Sequence, residues 1–505
     1  MRRANLIAGT IAMAMLSAAC GAGAALPDPA VIAQHIDAQW FRQSLIQDNL
    51  AHWLSATKTP NGFFQTTLDR QWRPRGQQTG TLVTQNRLIF DLAVGYDLTG
   101  DPAYLQGLKS GADFLLNNFY DNQYGLWYWS VSSTGAVASD VKDSYGQAFT
   151  VFGLSHAYRE TGDQRYLDAA LQTWDLVNAR LRDSYGGLKA QTSRDFSTAS
   201  GSNTQNPMMH LFEAGLALYD ASGSAAVFSQ TQGLADHIFT TMYQPEGGYL
   251  PEAYTTNWQP APANQSGRID VGHQFEWAYL LSVGVSRGMP ASYLDLGQQL
   301  LNYGLAHGYD TADGGIWTNC NYDGTVRDTS VKSWWQQAEL LRALMDYAAL
   351  HGRSDVWDEF DQSLAFVKQN IIDSQYGGWF ADYTPSATGG HASTDKGSIW
   401  KAGYHEAGMY REALRLAAIP AWHPGDANGD SMVDVGDLGI LGANYGRTNG
   451  ATWTTGDFTG DGAVDVGDLG ILGADYGWDA ASMVPEPATL SLLTLAGLML
   501  ARHRQ

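Results

Sequence analysis

Apolar and polar positions along residues 88–119 predict two helices of different character. From Leu88 to Leu98 nearly every position is apolar, which is typical of a helix buried on all sides. From Tyr104 to Phe119 the apolar residues form a helical stripe, and polar residues fill the opposite face. The pattern therefore predicts a buried helix followed by a half-exposed one, joined at Gly100.

Two sets of glycine turns repeat this helix pair along the chain. The first set lies between helices, where glycine commonly ends a helix in the left-handed conformation, at Gly100, Gly162, Gly223, Gly288 and Gly352. The second set recurs every 61–67 residues, at Gly62, Gly125, Gly187, Gly248, Gly315 and Gly378. Such a period fits two helices and a hairpin. Six units predict an all-α fold over residues 30–420, an (α/α)6 barrel with six inner and six outer helices.

Polar residues interrupt the inner helices near their predicted starts, at about residues 83, 146, 205, 271, 332 and 398. They are Arg87, Gln147, Asn206, His210, Glu213, His273, Glu276, Lys332, Glu339, Lys401 and His405. In a closed ring these starts share one end, so we expect a pocket there, lined by Trp277, Trp334, Trp335 and Trp400. The alternative is that each is an ordinary capping or core residue.

The pocket residues suit proton transfer. A helix N-terminus disfavours imidazolium and keeps a histidine available as a base, while an arginine can hold an oxyanion through two hydrogen bonds. These groups are what is needed to remove a proton α to a carbonyl and to stabilise the enediolate. No metal-binding trio stands out, so we expect no catalytic cofactor.

Composition narrows the class of partner. The 505 residues carry a net charge of −21, which disfavours nucleic acids and anionic membranes as partners. The 17 Trp and 25 Tyr suit stacking on sugar faces, although large barrels also use aromatic residues as filler.

Both chain ends predict export. Residues 1–24 have the order of a signal peptide: two arginines, an apolar run and a small-residue cleavage site. Cys320 is then the only cysteine of the mature chain, and we expect it to be a small buried hydrophobe. Residues 484–505 contain Val484-Pro485-Glu486-Pro487, a short apolar run and a basic end, and resemble a PEP-CTERM sorting signal. The resemblance implies membrane contact through this segment alone, and the periplasm, envelope or exterior of a Gram-negative bacterium as location.

Two calcium-loop patterns occupy residues 424–480. Oxygen ligands recur at loop spacing, in the first copy at Asp426, Asn428, Asp430, Met432 (through its carbonyl), Asp434 and Asp437, and in the second at Asp457, Thr459, Asp461, Ala463 (carbonyl), Asp465 and Asp468. The pair resembles a type I dockerin, which implies a small helical module with two Ca²⁺ ions and a cohesin-type partner. The alternative is a calcium-stabilised cap without a partner.

Five motifs in order give the barrel a family resemblance. They are Gln85-Asn-Arg87, Asn206-Pro-Met-Met-His210-Leu-Phe-Glu213, Gly272-His273-Gln-Phe-Glu276-Trp277, Trp334-Trp335-Gln-Gln-Ala-Glu339 and Trp400-Lys401-Ala-Gly-Tyr-His405. Over about residues 35–418 the chain resembles the N-acylglucosamine 2-epimerase family, whose (α/α)6 barrels epimerise or isomerise sugars.

The resemblance implies roles for ten residues. His273 and His405 would be the acid/base pair at C2 of the opened sugar, Arg87 would bind the enediolate, and His210 and Glu276 would assist ring opening. Substrate binding would fall to Asn206, Trp335, Glu339, Trp400 and Tyr279. We therefore expect a 2-epimerase or aldose–ketose isomerase acting on a mono- or oligosaccharide from polysaccharide breakdown. The alternative is a glycoside or unsaturated-glycoside hydrolase on the same barrel, which would need two opposed carboxylates.

Overall fold

Helices and short antiparallel strands alternate along the chain in the computed structural model. The structure describes residues 27–385, 389–419, 423–428, 432–448, 451, 453–459 and 462–479. They fall into two units, one of Val31–Ala418 and one that contains the described residues after Ala418. The predicted signal peptide (1–24) and sorting signal (484–505) lie outside the described residues.

The first unit is built from helix pairs. A short helix α1 (Pro29–His35) precedes α2 (Ala38–Leu45) and α3 (Ala51–Thr57), which a π-helical turn (Ile46–Leu50) joins. Five pairs follow, each an inner and then an outer helix: α4 (Leu82–Thr99) with α5 (Pro102–Asn118), α6 (Ser144–Thr161) with α7 (Gln164–Arg180), α8 (Asn206–Ser222) with α9 (Ala225–Thr241), α10 (Val271–Ser286) with α11 (Ser292–Gly308), and α12 (Trp334–Leu350) with α13 (Trp357–Asn370). A 3-10 turn (Ser354–Val356) precedes α13, and α14 (Tyr404–Ala417) completes the inner ring.

Burial separates the two rings as the sequence pattern predicts. Every residue of α4 from Leu82 to Gly95 is buried, whereas α5 buries one stripe that includes Leu108 and Leu115. Each inner helix contacts the next, and α14 contacts α4. The inner helices therefore form a closed ring, and the (α/α)6 barrel is confirmed.

Short strands close the same ring at the end where the inner helices begin. Strands β1 (Thr79–Thr81), β4 (Lys142–Asp143), β7 (Ile269–Asp270) and β9 (Lys332–Ser333) each run directly into an inner helix. Each pairs with a hairpin strand of the next unit: β1 with β2 (Ser130–Ser132), β4 with β5 (Gln191–Thr192), β7 with β8 (Asn319–Cys320), and β9 with β10 (Asp382–Tyr383). Strands β3 (Val137–Ser139) and β6 (Ala199–Ser200) extend two of these sheets. Single bridges, Thr204–Ala253 and Leu68–Gly397, supply the two remaining connections, so all six units are linked.

A glutamine near the start of four inner helices fixes the glycine turn beside it. The side-chain amide accepts a backbone N–H and donates to the carbonyl of the same residue, because an amide carries both groups. The pairs are Gln85 with Phe64, Gln147 with Trp127, Gln274 with Leu250 and Gln337 with Ile316. The pocket role expected for Gln147 was therefore wrong.

The last inner helix begins later than predicted. Five inner helices start within two residues of the expected position, but α14 starts at Tyr404 rather than near residue 398. The N–H of Gly403 donates to Asp91 and the ammonium of Lys401 donates to the carbonyl of Lys396, so residues 398–403 are held as a loop. Trp400 and Lys401 consequently lie on that loop.

The second unit contains α15 (Val435–Asn444), a 3-10 turn (Trp453–Thr455) and α16 (Val466–Asp475). Its core consists of Ala427, Val433, Leu441, Phe458, Val464 and Leu472. Each helix is capped by an aspartate, Asp434 or Asp465, in a capping box. Across both units, none of the described helices has the length and apolarity needed to span a bilayer.

Candidate active site

The starts of the inner helices bring the predicted polar residues to one end of the barrel. His210, His273 and His405 lie in the first two turns of α8, α10 and α14, and all three are buried. Strand β7 enters α10, and the bridged residues Thr204 and Gly397 precede α8 and α14, which places the three helix starts at the same end of the ring. Closure of the ring, rather than any local pattern, therefore assembles the site.

His273 and His405 contact the same indole. The ring centroid of Trp335 lies 4.9 Å from that of His273 and 5.4 Å from that of His405. Their side chains are 7% and 5% exposed. Trp335, which is half-buried, therefore contacts both buried imidazoles and brings them to one place.

A glutamate holds each histidine at Nδ1. Glu252 Oε2 lies 2.7 Å from Nδ1 of His273, and Glu339 Oε1 lies 2.7 Å from Nδ1 of His405. Glu213 Oε2 lies 2.9 Å from Nδ1 of His210. An ionised carboxylate only accepts hydrogen bonds, so Nδ1 carries the proton and Nε2 is the nitrogen left for chemistry. Glu339 therefore holds His405, and its predicted role in substrate binding stays a prediction.

The two histidines paired through Trp335 prefer opposite charge states. Burial disfavours the charged ring of His273, but Glu252 and Asp270 outweigh it and raise its pKa to about 10. Burial, with the positive charge of Arg87 and His210, lowers the pKa of His405 well below its usual range. Near neutral pH one ring is an acid and the other a base.

Glu276 occupies the centre of the polar cluster. It is 1% exposed, and neither carboxylate oxygen has a hydrogen-bond partner among the described residues. Burial and the neighbouring Glu339 raise its pKa well above the ordinary range. A buried carboxyl group without partners is costly, so Glu276 is ready to bond a ligand hydroxyl.

Arg87 donates hydrogen bonds to residues at the rim of the pocket. Its Nη1 donates to the carbonyl of Trp400 at 2.6 Å and its Nη2 to the hydroxyl of Tyr145 at 2.7 Å. Its Cζ lies 4.6 Å from the centroid of Phe149. Each terminal nitrogen has two hydrogens. The guanidinium therefore keeps one donor on each for an oxyanion.

Asn206 and Trp400 line a side cavity of about 360 Å³ at the mouth of the site, together with Tyr145 and Gln191. The amide oxygen of Asn206 is buried without a partner among the described residues. Trp400 is 48% exposed, and its ring centroid lies 5.7 Å from that of Trp129. A larger cleft, of about 1040 Å³, lies elsewhere, between α2 and α3 on one side and the end of α13 on the other.

Several predicted pocket residues lie outside it. Trp277 is fully buried, packs on Phe239 of an outer helix and donates to Gln205. Tyr279 donates to Glu412 at 3.1 Å and stacks under Arg342. Lys332 and Lys401 point into buried structural contacts, Lys332 onto Asp310 at 2.7 Å and Lys401 onto the carbonyl of Lys396. For these residues the core interpretation is correct.

Sequence reasoning missed two contributors. Glu252 lies in an irregular segment without a repeat counterpart, and only its charge within the apolar stretch Leu250–Ala253 marks it. Tyr404 donates its hydroxyl to Glu213 at 2.5 Å and so fixes the carboxylate that holds His210. The only feature of the sequence that marks Tyr404 is its position directly before His405.

Two groups of side chains have the spacing of a metal site. His210, Glu213 and Glu276 form one, and Glu276, Glu339 and His405 the other, each with ligand atoms within 4.8 Å. Apart from Glu276, each carboxylate already accepts a hydrogen bond from histidine, tyrosine or arginine. We assign no metal to them, and catalysis without a cofactor stays a prediction.

In the second unit each calcium-loop pattern surrounds buried carboxylates. Asp437 Oδ1 accepts the N–H groups of Ala427 and Asn428, and Asp468 Oδ1 accepts those of Phe458 and Thr459. A group of buried, negatively charged carboxylates is typical of a cation-binding site. They are Asp426, Asp437, Asp457 and Asp468. The predicted ligands Asp430 and Asp461 lie outside the described residues.

Comparison with known proteins agrees with this geometry. Residues 62–407, more than half of the chain, match the model of the N-acylglucosamine 2-epimerase family. A cellobiose 2-epimerase from Ruminococcus albus is 24% identical, over 74% of this chain and 97% of that protein. A D-mannose isomerase from Marinomonas mediterranea is 24% identical, over 76% and 98%. The solved cellobiose 2-epimerase of Spirochaeta thermophila superposes with a TM-score of 0.68 at 26% identity, over 76% of this chain and 97% of that one.

Proposed function

The chain belongs to the N-acylglucosamine 2-epimerase family and is a sugar 2-epimerase or isomerase, and from this premise we propose that His273 and His405 move the proton at C2 of a reducing sugar. The observation that carries the proposal is the pairing of both imidazoles on Trp335 with opposite charge preferences. A neutral and a protonated imidazole are the two groups that inversion at one carbon needs.

The proposed reaction begins with the opened sugar. His405 Nε2 accepts the C2 proton, and the electron pair of the broken C–H bond forms the C1–C2 double bond while the charge moves to O1. The unpartnered N–H groups of Arg87 stabilise that oxyanion. His273 then donates its Nε2 proton to the opposite face of C2, the C1 carbonyl re-forms, and C2 is inverted. Proton return to C1 with loss of the O2 proton gives a ketose instead.

Ring opening falls to the other buried groups. Opening a pyranose requires loss of the O1 proton and gain of a proton at the ring oxygen. Glu276 Oε1 and His210 Nε2 lie 3.8 Å apart, close enough to serve as such a donor and acceptor. Glu276, whose oxygens lack partners among the described residues, supplies the acid.

A disaccharide fits the site better than a monosaccharide alone. The side cavity beside Asn206 lies next to the guanidinium-bound loop, and the exposed indole of Trp400 forms part of its wall. Aromatic faces suit the apolar faces of sugar rings, so the cavity offers a place for a second ring. We propose a reducing disaccharide as the preferred substrate.

The test is incubation with cellobiose, mannobiose and mannose in heavy water. We expect deuterium at C2 and a C2 epimer or ketose, without cleavage, as followed by NMR and chromatography. His273→Gln and His405→Gln should each abolish formation of the C2 epimer while sugar binding persists. Release of smaller sugars from either disaccharide would instead support the hydrolase alternative.

The remaining segments are proposed to deliver this activity outside the cytoplasm. We propose that residues 1–24 direct export, that residues 484–505 act as a sorting signal, and that the second unit binds two Ca²⁺ ions. Its two helices expose matching apolar side chains, Val435 and Leu438 on α15 and Val466 and Leu469 on α16, and an exposed tyrosine, Tyr445 or Tyr476, follows each helix directly. Such duplicated faces support docking on a cohesin-type protein.

A further inference from the structure

The two catalytic histidine–glutamate pairs differ in what holds the glutamate. Oε2 of Glu252 accepts a hydrogen bond from the neutral amide of Gln205 at 3.1 Å. Oε2 of Glu339 lies 3.4 Å from Nη1 of Arg342, which is a cation. Among the described residues, neither Gln205 nor Arg342 hydrogen-bonds to His273 or His405, and each contacts the glutamate that holds the imidazole.

Arg342 is fixed beside Glu339 by its surroundings. Its Cζ lies 3.8 Å from the ring centroid of Tyr279, and its side chain is 11% exposed. Gly408 of α14 leaves the space that the guanidinium fills, since a Cβ there would lie 3.1 Å from Nη1. The charge of Arg342 is therefore held in one place.

The difference changes the charge each imidazole prefers. A carboxylate that shares its charge with a cation stabilises an adjacent imidazolium less than one bonded to a neutral amide. Of the other groups that face His405, Arg87 and His210 disfavour its charge and Glu213 favours it, while Glu276 and Tyr404 also lie beside it. His273 faces Glu252, Asp270 and Glu276, which favour its charge, and it also faces His210.

We propose that Arg342 is a positioning residue that keeps His405 neutral as the base, while Gln205, by leaving the full charge of Glu252 on His273, keeps His273 protonated as the acid. This inference rests on the proposed function and deepens it. The identity of each glutamate's second partner then decides which histidine removes the C2 proton first.

Removal of the Arg342 charge has a defined sign. Without it, the Glu339–His405 pair holds a proton more tightly, so the pKa at which His405 becomes a base rises. His405 must be neutral to act as the base. As the pH is lowered, a variant without the Arg342 charge therefore loses activity at a higher pH than the wild type does. The limb on the alkaline side, set by His273 and Glu252, stays where it is.

The experiment measures kcat/KM for C2 exchange in heavy water against pH, with mannose and cellobiose and the full chain. Arg342→Gln should shift the acidic side of the pH profile upward by about one pH unit. At a pH below that limb, kcat/KM should then be about tenfold lower than in the wild type. Arg342→Lys should keep the wild-type profile because the charge remains. Arg415→Gln is the matched control, because Arg415 bonds Glu412 rather than Glu339.

A second measurement reads the charge states directly. Histidine side-chain nitrogen NMR of the wild type, assigned with His273→Gln and His405→Gln, should show His405 neutral and His273 protonated at pH 7. This readout decides the inference if Arg342→Gln fails to fold, or if wild type exchanges no C2 proton and the proposed function fails. Equal charge on the two rings, or an unshifted acid limb in a folded Arg342→Gln variant, would overturn the role of Arg342.

Discussion

Glu252 and His273 are 21 positions apart in the chain, and yet the carboxylate lies 2.7 Å from Nδ1 of the imidazole. Glu252 comes from an irregular segment and His273 from the first turn of α10. The carboxylate offsets the burial of the ring, which alone would remove its charge. The acid of the proposed reaction therefore depends on a residue outside the helices.

Glu252→Gln should lower catalysis and narrow its pH range. With a neutral amide in place of the carboxylate, the pKa of His273 falls from about 10 toward or below its ordinary value. The acid must be protonated, so activity is lost as pH rises through that lower pKa. We expect about a 100-fold lower kcat at pH 8, measured as C2 exchange. Glu160→Gln removes a carboxyl group of raised pKa remote from the site and should leave the profile unchanged.

Trp400→Ala should separate disaccharides from monosaccharides. The side chain forms part of the wall of the side cavity, whereas the bond to Arg87 uses the backbone carbonyl and survives the substitution. We expect KM for cellobiose to rise about tenfold, a loss typical of one aromatic contact, with kcat/KM for mannose unchanged. Tyr185→Ala removes an aromatic ring that is 56% exposed and serves as the control. Equal losses on both sugars would contradict a second-ring subsite.

Gly378→Ala should destabilise the barrel where its first and last helical repeats meet. A Cβ at Gly378 would lie 2.6 Å from Cζ2 of Trp72, whose Nε1 donates to the carbonyl of Tyr376. Gly378 also has a φ of +65°. Strain and overpacking together should cost about 3 kcal/mol in the free energy of unfolding, measured by denaturant titration.

Gly100→Ala provides the comparison for that variant. Gly100 has the same φ of +65°, but nothing lies within 4 Å of its added Cβ. We expect only the backbone cost, about 1 kcal/mol. If Gly378→Ala lowers the free energy of unfolding by no more than Gly100→Ala does, the Trp72 contact does not constrain position 378.

Calcium removal should affect the second unit and leave sugar turnover intact. The loops bury Asp426, Asp437, Asp457 and Asp468, whose charges repel without a cation. We expect titration calorimetry to count two Ca²⁺ ions, and Asp457→Ala to leave one. Chelation should release residues 423–479 to proteolysis and abolish binding to cohesins, with C2 exchange unchanged. A count of zero would reject the calcium proposal.

The order of the helices could be predicted because it is written in local patterns. Burial on all sides marks α4, a single stripe marks α5, and a glycine ends α4 at Gly100 with a φ of 65°. The start of α14 could not be predicted in this way. Gly403 at the end of residues 398–403 donates to Asp91 of α4, which lies 312 positions away in the chain, and this contact helps to keep the segment out of the helix.

The sequence by itself determined the six-fold repeat, the ring of helices and the identity of the histidines that face its open end. Only the tertiary structure decided which polar residues reach the pocket: Trp277 turns toward an outer helix, and Glu252 enters from a loop. It also decided the opposite charge preferences of His273 and His405. The physical reason is that helix periodicity is a property of neighbouring residues, whereas burial and charge at a side chain depend on groups contributed from across the closed ring.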